Sequence, residues 1–132
     1  MPDISIAMTS PDRERDGVPV TFLGMTFIVA RFHNDVHRAA IERMREPHLQ
    51  AIRAGSIDPR ITADIGCRAF CEGVLRGWSD VERNGSPLPF SVDAAHTILS
   101  DPRFHDLYDF LFRASAEREN FREAEMKEAA GN

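Results

Sequence analysis

The stretch from Gly73 to Ala95 constrains this chain more than any other part of it. It reads Gly73-Val74-Leu75-Arg76-Gly77-Trp78-Ser79-Asp80-Val81-Glu82-Arg83-Asn84-Gly85-Ser86-Pro87-Leu88-Pro89-Phe90-Ser91-Val92-Asp93-Ala94-Ala95. A helix ends at Gly77, the one tryptophan of the chain follows it, and Asn84-Gly85 makes a tight turn. Pro87 and Pro89 stiffen the return, and Ser91 caps the next helix. Such a joint holds a small helical domain in one shape. It contains no nucleophile beside a base, no metal-ligand cluster and no phosphate-cradling loop, so it points to binding and assembly rather than to catalysis.

A chain of 132 residues fits one domain. It can bury roughly two thirds of its unfolded surface, enough for a core without staples. An apolar fraction of 42% with 28% charged residues is that of a soluble globular protein. A formal charge of −5 opposes general affinity for nucleic acid or anionic lipid, both of which need a basic footprint. No apolar run reaches the length of a membrane span, and the polar segment Met1 to Gly17 lacks the pattern of a secretory signal. Cys67 and Cys71 form no disulfide framework and read as reduced thiols in a cytoplasm.

The pattern along the chain predicts a mainly α protein, a small helical domain with an N-terminal β-hairpin. Residues 1–17 read as a flexible N-terminal arm and residues 18–132 as a single helical domain. Within it, two β-rich runs flank Gly24-Met25 and predict a type II′ hairpin over 18–32, with Pro19 placing the first strand at an edge. Helices are expected at about 35–54, 59–76, 92–100 and 102–128. Asn34 or Asp35 caps the first of these, with Val36, Ala39, Ala40 and Met44 as its apolar stripe. Asp58-Pro59 and Asp101-Pro102 are start signals, and Ile61, Ile65, Ala69, Phe70, Gly73 and Val74 give the second helix its buried stripe. The last helix turns charged from Glu117 onward (Arg118, Glu119, Arg122, Glu123, Glu125, Lys127, Glu128) and frays at Ala129 to Asn132.

Candidate chemistry is thin. His33 and His37 are spaced like metal ligands on a helix, but the glutamate of a zinc-protease motif is missing between them, so they read as surface or capping histidines. Cys67 and Cys71 project from one wall of a helix and read as core thiols rather than half of a zinc site. His96 and His105 lie near Asp93 and Asp106 with no third catalytic partner. Cofactor and metal sites are therefore expected to be none. Trp78 with Phe90 reads first as a core plug for the joint and second as a recognition platform.

The ordered set in the central block resembles the tail assembly chaperones of long-tailed bacteriophages. The shared features are Gly77-Trp78, the spacing to Val81, the Asn84-Gly85 turn, the Pro87-Leu88-Pro89-Phe90-Ser91 return and the alanine-bearing helix with Leu99. The hairpin leading through Arg31, Phe32 and Asn34 into a basic helix is also similar, as is Asp101 to Phe112, so the likeness spans residues 18–122. Residues 1–17, the cysteines and the His33/His37 pair lie outside it. The resemblance implies a protein of the infected host cytoplasm that binds the tape measure protein, a long helical rod. It would keep that rod soluble until tube subunits polymerise, and be absent from the mature virion. It also implies contact with the tail tube protein, through a longer frameshifted form in many members.

Self-association along the rod is expected, with the hairpin as first candidate for contacts between copies and the 103–122 face for the client. The partner-binding candidates are Phe22, Phe27, Trp78, Phe104, Tyr108, Leu111 and Phe112. The alternatives are a structural tail-completion or connector component, which would be found in finished particles, and a small metal-binding protein, which would carry stoichiometric metal.

Overall fold

The computed structural model describes residues 1–123. Of these, 58% are helical and 17% lie in strands, and the fold is mixed α/β rather than mainly α with one hairpin. Strands β1 (Val18–Phe22), β2 (Met25–Val29) and β3 (Leu75–Ser79) form an antiparallel sheet in that order. Helices α1 (Pro11–Asp16), α2 (Asp35–Arg45), α3 (Leu49–Arg53), α4 (Pro59–Gly73), α5 (Val92–Leu99) and α6 (His105–Ala116) complete the body. The small ribbon β4 (Glu82–Arg83) and β5 (Ser86–Pro87) closes at Asn84-Gly85, both in the left-handed region.

The third strand is the main correction to the helical expectation. Residues 74–79 do not prolong α4. That helix stops at Gly73, and Leu75 to Ser79 pair with β2, so Trp78 sits opposite Phe27 on a strand instead of ending a helix. The cause lies outside the segment. A two-stranded ribbon is marginal in water, and the inner edge of β2 would otherwise bury unpaired amides and carbonyls. Residue Ala30 continues the match by donating its N–H to the Val74 carbonyl at 2.8 Å. A register shift between Ile28 and Val29 accommodates the extra residue Arg76.

The hairpin exists, but its corner lies one residue earlier than expected. Phe22 pairs with Met25, which leaves Leu23 and Gly24 as the two turn residues. Both have positive φ, 50° and 83°, the signature of a type I′ turn rather than II′. Pro19 does sit on an outer strand.

Local start signals set the helices. Side chains of Asn34, Asp58, Ser91 and Asp101 accept hydrogen bonds from His37, Arg60, Ala94 and Arg103 N–H respectively. The Arg103 guanidinium bonded to Asp101 also holds that carboxyl down at about 2. The last expected helix is interrupted: α6 ends at Ala116, Glu117 is extended, and Arg118–Phe121 form a 3-10 turn that drives Phe121 into the interior. The part of that expected helix from residue 124 to 128, with Glu125, Lys127 and Glu128, and the fray at Ala129 to Asn132, lie outside the described residues.

The core joins one sheet face to three helices. Phe27 and Val29 meet Phe70, Cys71 and Val74 of the α4 end, with Ala95 and Leu99 of α5 and Leu111 of α6. Full burial of a side chain such as Phe27, Val29, Phe70 or Leu111 contributes roughly 1.5–3 kcal/mol. Of the expected α4 stripe, Ala69, Phe70, Gly73 and Val74 are buried and the first two positions are not. Ile61 is exposed and Ile65 half-buried, because α4 enters the core only from Cys67 onward. On α2 the buried positions are His37 and Ala40, whereas Ala39 is exposed. Residues 1–17 carry a 3-10 turn and α1, and they bond to the segment around Phe121 and Arg122. Ser10 N–H donates to the Phe121 carbonyl at 2.8 Å, and Arg13 Nη1 to the Arg122 carbonyl at 3.2 Å.

Asn34 ties α2 to α4. Its Nδ2 donates to the carbonyls of Arg31 and Gly73, each at 2.8 Å, while its Oδ1 caps α2. Asn34→Ala removes the cap and leaves the Gly73 carbonyl without this donor, so a loss of about 2 kcal/mol is expected in urea unfolding. Asn34→Asp keeps the acceptor only, and should recover part of that loss.

Candidate apolar docking groove

The hairpin tip, the β3–β5 return and the start of α6 surround a groove of about 590 Å³. Its floor is Phe27, Trp78, Ile98 and Leu107. Its walls are Phe22, Met25, Val81, Leu88 and Phe104.

Trp78 is the organising side chain. Its indole Nε1 donates to the Leu88 carbonyl at 2.7 Å, which satisfies its one donor and pins the Pro87–Pro89 return against the sheet. Its ring stands edge-on to Phe27 (6.2 Å, 81°) and to Phe90 (5.0 Å, 86°). Such pairs add about 0.5–1.5 kcal/mol each beyond burial and fix ring orientation. The tryptophan is half-buried, serving both as plug for the joint and as groove floor.

The rim carries both signs of charge. Arg83 lies over the Phe104 ring with its guanidinium carbon 5.7 Å from the centroid, and it makes no ion pair among the described residues. Arg103 is held by Asp101 at 2.7 Å. Glu82 and Asp106 also line the opening. The polar groups here comprise two guanidinium groups, two carboxylates and Asn84, with no nucleophile and base in contact.

Of the seven residues proposed from sequence as partner contacts, four converge here: Phe22, Phe27, Trp78 and Phe104. Tyr108 lies instead against Phe70 (5.1 Å) and near Cys67, where burial pushes its phenol up. Leu111 is fully buried in the core. Phe112 is 42% exposed and packs edge-on against Phe32 at 5.0 Å. Sequence reasoning missed Leu23, Met25 and Arg83. Leu23 escaped notice because a turn at Gly24-Met25 leaves it inside the first strand, whereas the observed corner puts it at the tip.

The other polar candidates lie outside the groove's apolar floor. His37 is buried at 2% exposure, and its Nδ1 accepts the His33 N–H at 3.1 Å. Burial, with the charge of His33 secondary, lowers its pKa to about 4. Both thiols are buried, and the hydrogen bond that Cys71 S–H donates to Cys67, together with burial, pushes the Cys71 thiol far up. His96 pairs with Asp64 across α4–α5 at 2.6 Å, not with Asp93, and His105 pairs with Asp106 at 3.0 Å. Among the described residues no group of three or more His, Cys, Asp or Glu side chains could hold a metal ion. Nor, among them, is any helix long and apolar enough to cross a membrane.

Comparison with known proteins yields one finding. Searches of the curated proteins and of the solved structures return no match. A family model described as YdaY prophage protein matches residues 32–132, which covers the α2-to-α6 body and β3 but begins after the hairpin. On that match over most of its length, the chain belongs to the YdaY prophage protein family.

Proposed function

We propose that this prophage protein is a tail assembly chaperone that binds and solubilises the tape measure protein while a phage or prophage-derived tail is built. The observation that carries the reading is the groove: an apolar floor of aromatic and aliphatic side chains with charges of both signs around it. A rod-like coiled-coil protein presents the complement, an apolar a/d seam flanked by Glu and Lys at e and g. A surface that covers such a seam acts by helix-in-groove docking and needs no catalytic group. The block that resembles the phage chaperones, Gly77 to Ser91, is the segment that supplies Trp78, Val81 and Leu88 to the groove.

On this reading the chain is not an enzyme. It works in the host cytoplasm in many copies that associate along the client, meets the tail tube protein through a longer frameshifted form, and is left out of the finished particle. Copies held along one rod reinforce each other, so the affinity of a single groove can stay modest.

The test is co-expression with the tape measure protein of the same prophage. The client should move from the pellet to the soluble fraction and co-purify with this chain. Val81→Glu places a carboxylate in the groove from a half-buried site, and should cut retention roughly tenfold, equivalent to about 1.4 kcal/mol, with little change in melting temperature. A client equally insoluble with and without the chain sinks the reading. Stoichiometric amounts of the chain in purified particles would favour a structural tail component instead.

A further inference from the structure

The β1–β2 turn holds a leucine where turn chemistry disfavours one. Leu23 occupies the first position of a type I′ turn with φ of 50°, a place that Asn, Asp or Gly takes at least cost. A Cβ in the left-handed region is strained, and this side chain recovers nothing by burial, being 83% exposed. Leu23 is thus unfavourable on two separate counts, backbone and solvation. Strain kept in a folded protein without a local return is a pointer to function. The position supports this, because Leu23 stands at the lip of the groove, beside Phe22 and Met25.

We propose that Leu23 is an apolar knob held out by the turn, which seats between the side chains of an amphipathic helical partner lodged in the groove. A leucine of this exposure fits the hole that four neighbouring residues make on a helix surface. The occupant is a helix with an apolar seam and charges of both signs beside it: a carboxylate to meet Arg83, which has no ion-pair partner among the described residues, and a cation for Glu82 and Asp106. A few residues carry most of the energy of an interface, so truncating one side chain can have a large effect. The inference rests on the docking role proposed above, and names the residue that this role strains.

The experiment separates stability from binding. Leu23→Asn relieves the turn and removes the knob, whereas Leu23→Ala removes the knob without relieving the turn. Two probes are used: the co-expressed tape measure protein, and a synthetic amphipathic heptad-repeat helix with Leu at a and d and alternating Glu and Lys at e and g. Leu23→Asn should raise the melting temperature by about 2–4 °C and weaken retention of both probes about tenfold. Leu23→Ala should weaken retention equally with no rise in melting temperature.

Unchanged retention in both variants, with wild-type binding intact, overturns the knob and leaves the chaperone reading standing. Binding of the heptad helix but not of the tape measure protein, still lost in Leu23→Asn, overturns that client and keeps the knob. Failure of the wild type to hold either probe overturns both. A melting temperature that falls in Leu23→Asn removes the strain argument, and the proposal with it.

Discussion

Gly73→Ala should destabilise the protein by about 3 kcal/mol or more. At this position α4 crosses the start of α2. A Cβ added to Gly73 would lie 2.4 Å from the His37 Cα, 2.6 Å from the His37 N and 2.8 Å from the His37 Cβ. The first two are backbone atoms of a helix, so no rotamer change relieves the overlap. The two helices would have to separate, breaking the bond from Asn34 to the Gly73 carbonyl and opening a seam beside Phe70. Gly66 offers the internal control. It lies in the same helix, and an added Cβ there meets nothing within 4 Å. Gly66→Ala should therefore gain up to about 1 kcal/mol from helix propensity. Urea unfolding of the two variants should move in opposite directions; a Gly73→Ala midpoint equal to wild type would refute the tight crossing.

Acid should weaken the fold through His37 as pH falls from about 6.5 to 4. The sign follows from the two states. The imidazole takes up a proton near 6.5 when unfolded but only near 4 when folded, because burial opposes the charge and the nearby His33 adds to that opposition. Above about pH 6.5 both states are neutral, and the full stability is present. Between pH 6.5 and 4 the unfolded chain binds the proton and the folded chain does not, so stability falls as pH falls. The difference of about 2.5 in pKa corresponds to at most about 3 kcal/mol. His37→Asn retains a small acceptor beside His33 but cannot ionise. Its stability should be lower at pH 7, and its slope between pH 6.5 and 4 should be shallower than that of wild type. Parallel slopes would show that His37 is not the group responsible.

Features governed by a few adjacent residues are legible in this sequence. The caps at Asn34, Asp58, Ser91 and Asp101 need only a side chain and an amide two or three residues on. The Asn84-Gly85 turn and the edge placement of Pro19 are equally local. The third strand is not legible, because nothing within Leu75 to Ser79 demands it. The demand comes from the open edge of β2, about 50 positions earlier in the chain. His37 hides for a related reason. Its pairing with His33 resembles a surface or metal motif, and its burial depends on Gly73 permitting α4 to approach.

For the groove, aromatic content selected Phe22, Phe27, Trp78 and Phe104. Tyr108, Leu111 and Phe112 share the α6 helix with its groove-lining residue Leu107, but lie on other faces or further along it.

The clasp between the two ends of the described chain has a spatial consequence. Thr9 bridges Arg122, the Glu123 N–H reaches the Met8 carbonyl at 3.4 Å, and Arg13, Val18 and Asn120 gather at the Val18 end of the hairpin. Leu23 and the groove occupy the opposite end, about 14 Å away along the strands. Glu123, the last described residue, thus lies at the pole remote from the groove.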